Sequence, residues 1–270
     1  MYLIINKNQS SLQLNKIGNP FIELSETGST NSYAIDKVHS NLAAHGTTYF
    51  AHNQTKGRGQ RGKEWVSEPS SNIILSIVMN TSSLSIHQQF SFSVSVALAC
   101  RDFLAFYIEK NRENAVILDG SQLTVKWPND IYWGDRKAAG ILIENIIKGS
   151  KWEWAIVGMG INVNQTAFAP HLTNAISLST ITKKQHNSVD LAKELCKFVE
   201  HRYEQLIAHQ SEKLLADYNH HLFKVGKQVK LKKEALLFQC TIEGVNEHGQ
   251  LLLLDAPFKV VNFGEVEWVI

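Results

Sequence analysis

Cysteine is scarce in this chain of 270 residues: Cys100, Cys196 and Cys240 stand far apart and form no CxxC pair. That spacing excludes a zinc ribbon and a disulfide framework and suits a reducing, cytoplasmic setting. Long apolar runs are missing too. None reaches the roughly 18 residues that a membrane span needs, so no membrane partner is expected. The opening run Met-Tyr-Leu-Ile-Ile is too short for a signal peptide. No HExxH spacing occurs among the 11 histidines. The neighbours His220 and His221 read as helix surface, since adjacent helical residues do not face one another, and no protein metal site is expected. Excess charge of one sign is also absent. Lys and Arg number 27 against 25 Asp and Glu, a net +2, so any anion site must be local.

One segment concentrates what the rest lacks. Between Lys56 and Lys63 lie three glycines (Gly57, Gly59, Gly62) and four cations (Lys56, Arg58, Arg61, Lys63). Glycine lets a backbone press against a ligand, and clustered Lys and Arg supply charge-assisted bonds to carboxylate and phosphate oxygens. The loop therefore reads as an anion-binding element, with a solvated basic turn as the bland alternative. It also matches G-x-G-x-x-G. A dinucleotide site requires a helix to start inside those glycines. Here Lys-Glu-Trp-Val-Ser-Glu-Pro-Ser-Ser-Asn follows, which reads as extended chain and turn, and the nicotinamide reading is rejected.

Periodicity predicts an α+β layout. Helical patterns cover Ser32 to Ala44, Ile86 to Lys110 and most of Val189 to Phe223. Strands are expected over 47–53, 72–79, 123–127, 131–133, 139–147 and 152–163. From Gly226 the texture changes to short strands separated by turns, which predicts a small β-barrel. Residues 1–223 and 224–270 are thus read as two domains.

Two further segments carry polar residues in turns. In Lys126-Trp127-Pro128-Asn129-Asp130, Pro128 marks a strand end, because it cannot donate to a ladder. Gly134-Asp135 makes a second turn and Arg136-Lys137 opens the next strand, so a hairpin gathers Lys126, Asn129, Asp130 and Lys137. In Gly158-Met159-Gly160-Ile161-Asn162, glycines inside an apolar strand imply that something approaches the backbone closely.

Taken with Ser29-Thr30-Asn31, the Gly57–Gly62 loop and Ala139-Gly140-Ile141-Leu142, these segments resemble one family, the biotin protein ligases. The resemblance covers about residues 20–220, and its KWPND to DRK-x-AGIL part is highly specific. It implies a mixed or antiparallel sheet with helices, of the class II synthetase-like type, and a small C-terminal SH3-like β-barrel. It implies ATP and biotin as substrates, with Mg2+ on the phosphates. Biotin and ATP would give biotinyl-5′-AMP, and a lysine on a biotin carboxyl carrier protein domain of a biotin-dependent carboxylase would then attack it. Carried over by position, Ser29, Thr30, Asn31 and Gln54 would line the biotin pocket. Gly57, Arg58, Gly59 and Gln60 would close over biotin and the adenylate. Lys137 would hold the acyl-phosphate oxygens and, with Arg58, act in catalysis. Lys126, Asn129, Asp130, Asn162 and Trp65 would serve the nucleotide. The chain departs from the family pattern at Gln60, where many members carry Arg, and at Ser70-Ser71-Asn72, where a glycine is common. The residues before Ser29 are too few for a DNA-binding winged helix, so no specific DNA binding is expected, and a homodimer stays open. A lipoate or octanoate ligase or transferase, and a non-catalytic biotin or nucleotide sensor, are the alternative readings.

Overall fold

The computed structural model describes residues 16–110, 122–170, 172 and 174–269. The described residues begin with a β-α-β unit, of which the periodicity reading found the helix and the second strand and passed over the first strand. Strand β1 (Phe21–Thr27) leads through helix α1 (Thr30–His39) into β2 (Thr48–Gln54), and the two strands pair in parallel from Phe21↔Thr48 to Thr27↔Gln54. No residue of β1 is fully buried, so its apolar signal is weak. Helix α1 starts earlier and stops sooner than periodicity implied. Ser40 ends it, and Asn41 turns left-handed at φ 55°, a common way to stop a helix.

Strand β3 (Ile73–Asn80) follows the glycine loop and buries seven consecutive residues. A capping box, in which Ser85 and Gln88 satisfy each other's backbone N–H, introduces a short 3-10 turn and then helix α2 (Gln89–Lys110). Strands β4 (Leu123–Lys126), β5 (Asp130–Trp133), β6 (Arg136–Lys148) and β7 (Lys151–Ile161) form a meander. The resulting seven-stranded sheet has the order β1-β2-β3-β7-β6-β5-β4, mixed because β1 and β2 run parallel.

Helices cover both faces. On one, Ala34 and Val38 of α1 pack with Tyr49, Val78 and Ile156. On the other lie α2 and the helices that follow β7: α3 (Leu178–Thr182), α4 (Ser188–Ile207) and α5 (Ser211–His220). The single helical stretch expected from Val189 to Phe223 is two helices, because His209 adopts φ 59° between them. Asn187 caps α4 by accepting from the N–H groups of Val189 and Asp190. Arg202 of α4 ties three helices together, 2.6 Å from Asp102 of α2 and 2.7 Å from Asp217 of α5.

Residues Ile86–Lys110 are long and apolar enough to cross a membrane, although no uninterrupted apolar run announced it. Two thirds (67%) of its apolar 18-residue stretch is buried inside the fold, as befits a core helix between the sheet and α4.

The C-terminal strands are β8 (Gln228–Lys233), β9 (Leu236–Val245), β10 (Leu251–Leu254), β11 (Val260–Val261) and β12 (Glu267–Val269). They pair in the order β11-β10-β9-β8-β12, with no closing ladder between β11 and β12 among the described residues. Their buried side chains, such as Leu231, Ile242 and Leu251, join the same apolar cluster as Phe92, Trp127 and Tyr218.

Candidate active site

Register places the site on the face of the main sheet that α1 covers. Residues paired directly across a ladder share a face. Ser76 pairs with Gly158, Leu142 with Gly158, Gly140 with Gly160 and Glu144 with Ile156, the partner of α1. Beyond the N-terminus of α1 the floor is therefore made of Gly140, Gly158 and Gly160.

What approaches those glycines is protein. A Cβ at Gly158 would stand 2.3 Å from Asn31 Oδ1, and one at Gly160 would stand 2.3 Å from the Trp65 indole. Trp65 thus lies across the sheet, and its Nε1 is buried with no hydrogen-bond partner. An unpaired buried N–H costs about 1–3 kcal/mol, so this is an acceptor-seeking group in the floor of the site.

The N-cap and first turn of α1 bury Ser29, Thr30 and Asn31. Ser29 occupies the N-cap position without using its side chain on the helix. Thr30 donates to Gln54 Oε1 from its N–H (2.9 Å) and its hydroxyl (3.3 Å), which joins the turn to the end of β2. Asn31 Nδ2 donates to Leu142 O (3.2 Å) and Glu144 Oε2 (2.8 Å), while its Oδ1 accepts from Ser76 Oγ (2.6 Å).

The glycine loop folds back as a small hairpin. The backbones of Arg58 and Glu64 form an isolated antiparallel β-bridge, Gly59 N–H donates to Lys63 O (2.6 Å), and Trp65 N–H donates to Gly57 O (3.0 Å). Lys56 N–H donates to Gly28 O (2.7 Å), so the loop starts beside the Ser29 turn. No α-helix begins in it; Gln60–Gly62 form one 3-10 turn, with Arg61 left-handed at φ 56°. Arg58 reaches across the turn, Nη1 to Ser32 Oγ (3.2 Å) and Nη2 to Glu144 Oε1 (2.6 Å).

The β4–β5 hairpin carries the second cluster. Lys137 Nζ lies 2.7 Å from Asp130 Oδ2 and 5.7 Å from the centre of the Trp65 ring, so these three residues meet. Asn162 is buried, and its Nδ2 donates to the carbonyls of Lys137 (3.3 Å) and Ile176 (3.2 Å). It therefore brackets the strand that presents Lys137. Asn129 Nδ2 donates to Ile141 O and pins the hairpin turn to β6. Lys126 points elsewhere. Its ammonium sits among the rings of Tyr132 (4.8 Å), Trp268 (5.3 Å) and Phe223 (5.7 Å). Burial lowers its pKa to about 8, with Asp130 opposing and Lys137 and Lys63 adding to the fall. Beside it, Trp127 Nε1 donates to Gly249 O (3.0 Å), which fixes this hairpin against the C-terminal sheet.

The arrangement brings the Ser29–Asn31 turn, Gln54, Arg58, Trp65, Asp130 and Lys137 to one face. Sequence reading passed over Glu144 and Ser76. The available signal for Glu144 was a lone carboxylate in the apolar run Ile141-Leu142-Ile143-Glu144. Cavities of about 430 and 550 Å3 lie along the C-terminal sheet, the first lined by Lys232, Lys233, Gly264 and Glu265. They are not the site, because neither touches the turn or the floor.

Residues 24–162 match the Biotin/lipoate A/B protein ligase family, and the chain belongs to that family. It is similar to the biotin–[acetyl-CoA-carboxylase] ligase of Mycobacterium tuberculosis, 26% identical over 211 residues that cover 77% of this chain and 73% of that protein. It is also similar to the bifunctional ligase/repressor BirA of Escherichia coli, 33% identical over 135 residues, half of this chain but 38% of that protein. In fold it resembles the biotin protein ligase of Aquifex aeolicus solved with biotin and ATP, with a TM-score of 0.71 at 24% identity, over 91% of this chain and 97% of that one.

Proposed function

We propose that this chain is a ligase that joins biotin to a lysine of a biotin carboxyl carrier protein domain, using ATP. The observation that carries the reading is the meeting of Lys137 with Trp65 beside the Ser29–Asn31 turn, under a loop that supplies Arg58. Membership of the ligase family and the names of the relatives support it.

Two anions must meet in the first step. The biotin carboxylate attacks the α-phosphorus of ATP, giving biotinyl-5′-AMP and pyrophosphate. Lys137 would stabilise charge on the carboxyl and phosphoryl oxygens, an effect that preorganised cations supply without rearrangement. Thr30 and Gln54, already hydrogen-bonded to each other, and the Ser29 hydroxyl would orient the ureido ring. The Trp65 N–H is suited to donate to a ligand oxygen. In the second step the acceptor amine attacks the acyl carbon and releases AMP, while the closed loop keeps water away.

Mg2+ would enter on the nucleotide phosphates, keeping most of its waters. Asp130, 2.7 Å from Lys137, is the carboxylate that would hold it. We read residues 224–270 as an SH3-like unit that buttresses the hairpin through Trp127 and Lys126, and residues 1–223 as the catalytic part. The test is isotope exchange between ATP and pyrophosphate. Exchange that depends on biotin, and not on lipoate or octanoate, is expected; exchange with lipoate alone would transfer the chain to the other branch of its family.

A further inference from the structure

We infer that Glu144 is a positioning residue of this site: it holds Asn31 of the α1 turn and Arg58 of the glycine loop at once. The ligand assigned to the pocket rests on the biotin-ligase reading, but the role of Glu144 rests on geometry alone.

Pairing between β5 and β6 ends at Asp130↔Gly140, and Glu144 lies beyond it on the stretch of β6 that is paired on one side alone, with β7. Its neighbours Ile141, Leu142 and Ile143 are apolar, so a carboxylate here is out of keeping with its surroundings. Its side chain is 23% exposed. One oxygen accepts from Asn31 Nδ2 at 2.8 Å and the other from Arg58 Nη2 at 2.6 Å.

Both partners are donors, and neither can turn round. Asn31 Oδ1 is committed to the hydroxyl of Ser76, and its Nδ2 also reaches Leu142 O, so the amide must present Nδ2 to Glu144. A guanidinium has no acceptor at all. Only a side chain with two acceptor oxygens satisfies both. Glutamine would set an N–H against one donor, and aspartate is a methylene too short to span the same gap. Because Arg58 also donates to Ser32 on α1, the network links β3, α1, β6 and the loop. Closing the loop and fixing the pocket are therefore one event: the carboxylate that orients Asn31 is the one that receives Arg58.

Limited trypsin digestion of the ligand-free full chain reads the latch directly, since Arg58, Arg61 and Lys63 are cleavage sites in the loop. Glu144→Gln is expected to speed cutting there ~10-fold, the size set by losing a hydrogen bond to a charged group. In turnover, the KM for biotin should rise by about the same factor, with kcat and the KM for ATP within about 3-fold of wild type. Combining Glu144→Gln with Arg58→Ala should add nothing to loop cutting by Arg58→Ala alone. Wild-type cutting rates in Glu144→Gln, or additive effects in the double variant, would overturn the assignment. If Glu144→Ala fails to fold, Glu144→Gln keeps the shape and carries the test. A wild-type protein without biotin-dependent exchange would sink the ligase reading instead, and the digestion would still decide the role of Glu144.

Discussion

The indole of Trp65 occupies the space that any side chain at Gly160 would need: a Cβ there would stand 2.3 Å from Trp65 Cε2. The two residues are therefore a matched pair. Gly160→Ala should destabilise the chain by about 1–3 kcal/mol, the usual cost of forcing atoms into a packed site. In a Trp65→Gly background the same change should cost close to nothing. Thermal melts of the four proteins in this cycle check it, and equal losses in both backgrounds would refute the pairing.

Lys137→Ala is expected to fold and to lose adenylate formation by at least ~10²-fold, the size typical of removing one electrostatic stabiliser. Its carbonyl is held by Asn162 and its N–H by Asn174 O, so the backbone at this position does not depend on the side chain. Adenylation near the wild-type rate would remove Lys137 from the mechanism.

Lys126 makes a prediction about pH. Its folded pKa, about 8, is depressed from 10.5. Between these values the unfolded chain binds more protons at this residue than the folded chain, so its contribution to stability rises as pH increases through that window. Lys126→Met removes the group. The difference in unfolding free energy, wild type minus Lys126→Met, should grow from pH 8 to about 10. A difference that is flat with pH would mean that the aromatic surroundings do not desolvate the ammonium.

Trp268→Ala should open the same surroundings to water. The titration of Lys126, followed by NMR of an isotope-labelled lysine, is expected to move back up toward the ordinary lysine value. ATP use should weaken if the C-terminal sheet supports the site through Lys126 and Trp127, as proposed. An unmoved titration would show that Tyr132 and Phe223 alone enclose the ammonium.

Arg202 carries a structural prediction. It lies between Asp102 and Asp217, with its own side chain 15% exposed. Arg202→Ala removes the cation that Asp102 and Asp217 share, leaving Arg101 3.2 Å from Asp102, and a loss of about 2–4 kcal/mol is expected from breaking a largely buried network. Denaturant unfolding measures it, and a change under ~0.5 kcal/mol would class the network as surface decoration.

The glycine loop, the Lys126–Asp130 segment and Lys137 were legible because each is a local signal. Turn residues, clustered charge and a strand-ending proline declare themselves within a few positions. Strands β3 to β7 and helix α2 were legible for the same reason, through apolar runs long enough to show a period. Strand β1 was not, because a half-exposed edge strand need not alternate strongly, and its parallel pairing to β2 depends on α1 folding back between them. The break at His209 was hidden because a single left-handed residue interrupts a helix without changing the apolar stripe on either side.

By itself, the sequence determined the class of chemistry: a basic glycine loop and a lysine-bearing hairpin suited to bringing anions together. Tertiary structure alone decided what each polar group touches. Asn31 and Glu144 are 113 positions apart, Arg58 and Glu144 86 apart, and Trp127 and Gly249 122 apart. The glycines of β7 show the division well. Their presence announced a close approach, but only the sheet register showed that Asn31 and Trp65 make it. Hydrogen bonds are short and directional, so their partners are set by how layers stack and which face a strand turns inward, and neither is written in local periodicity.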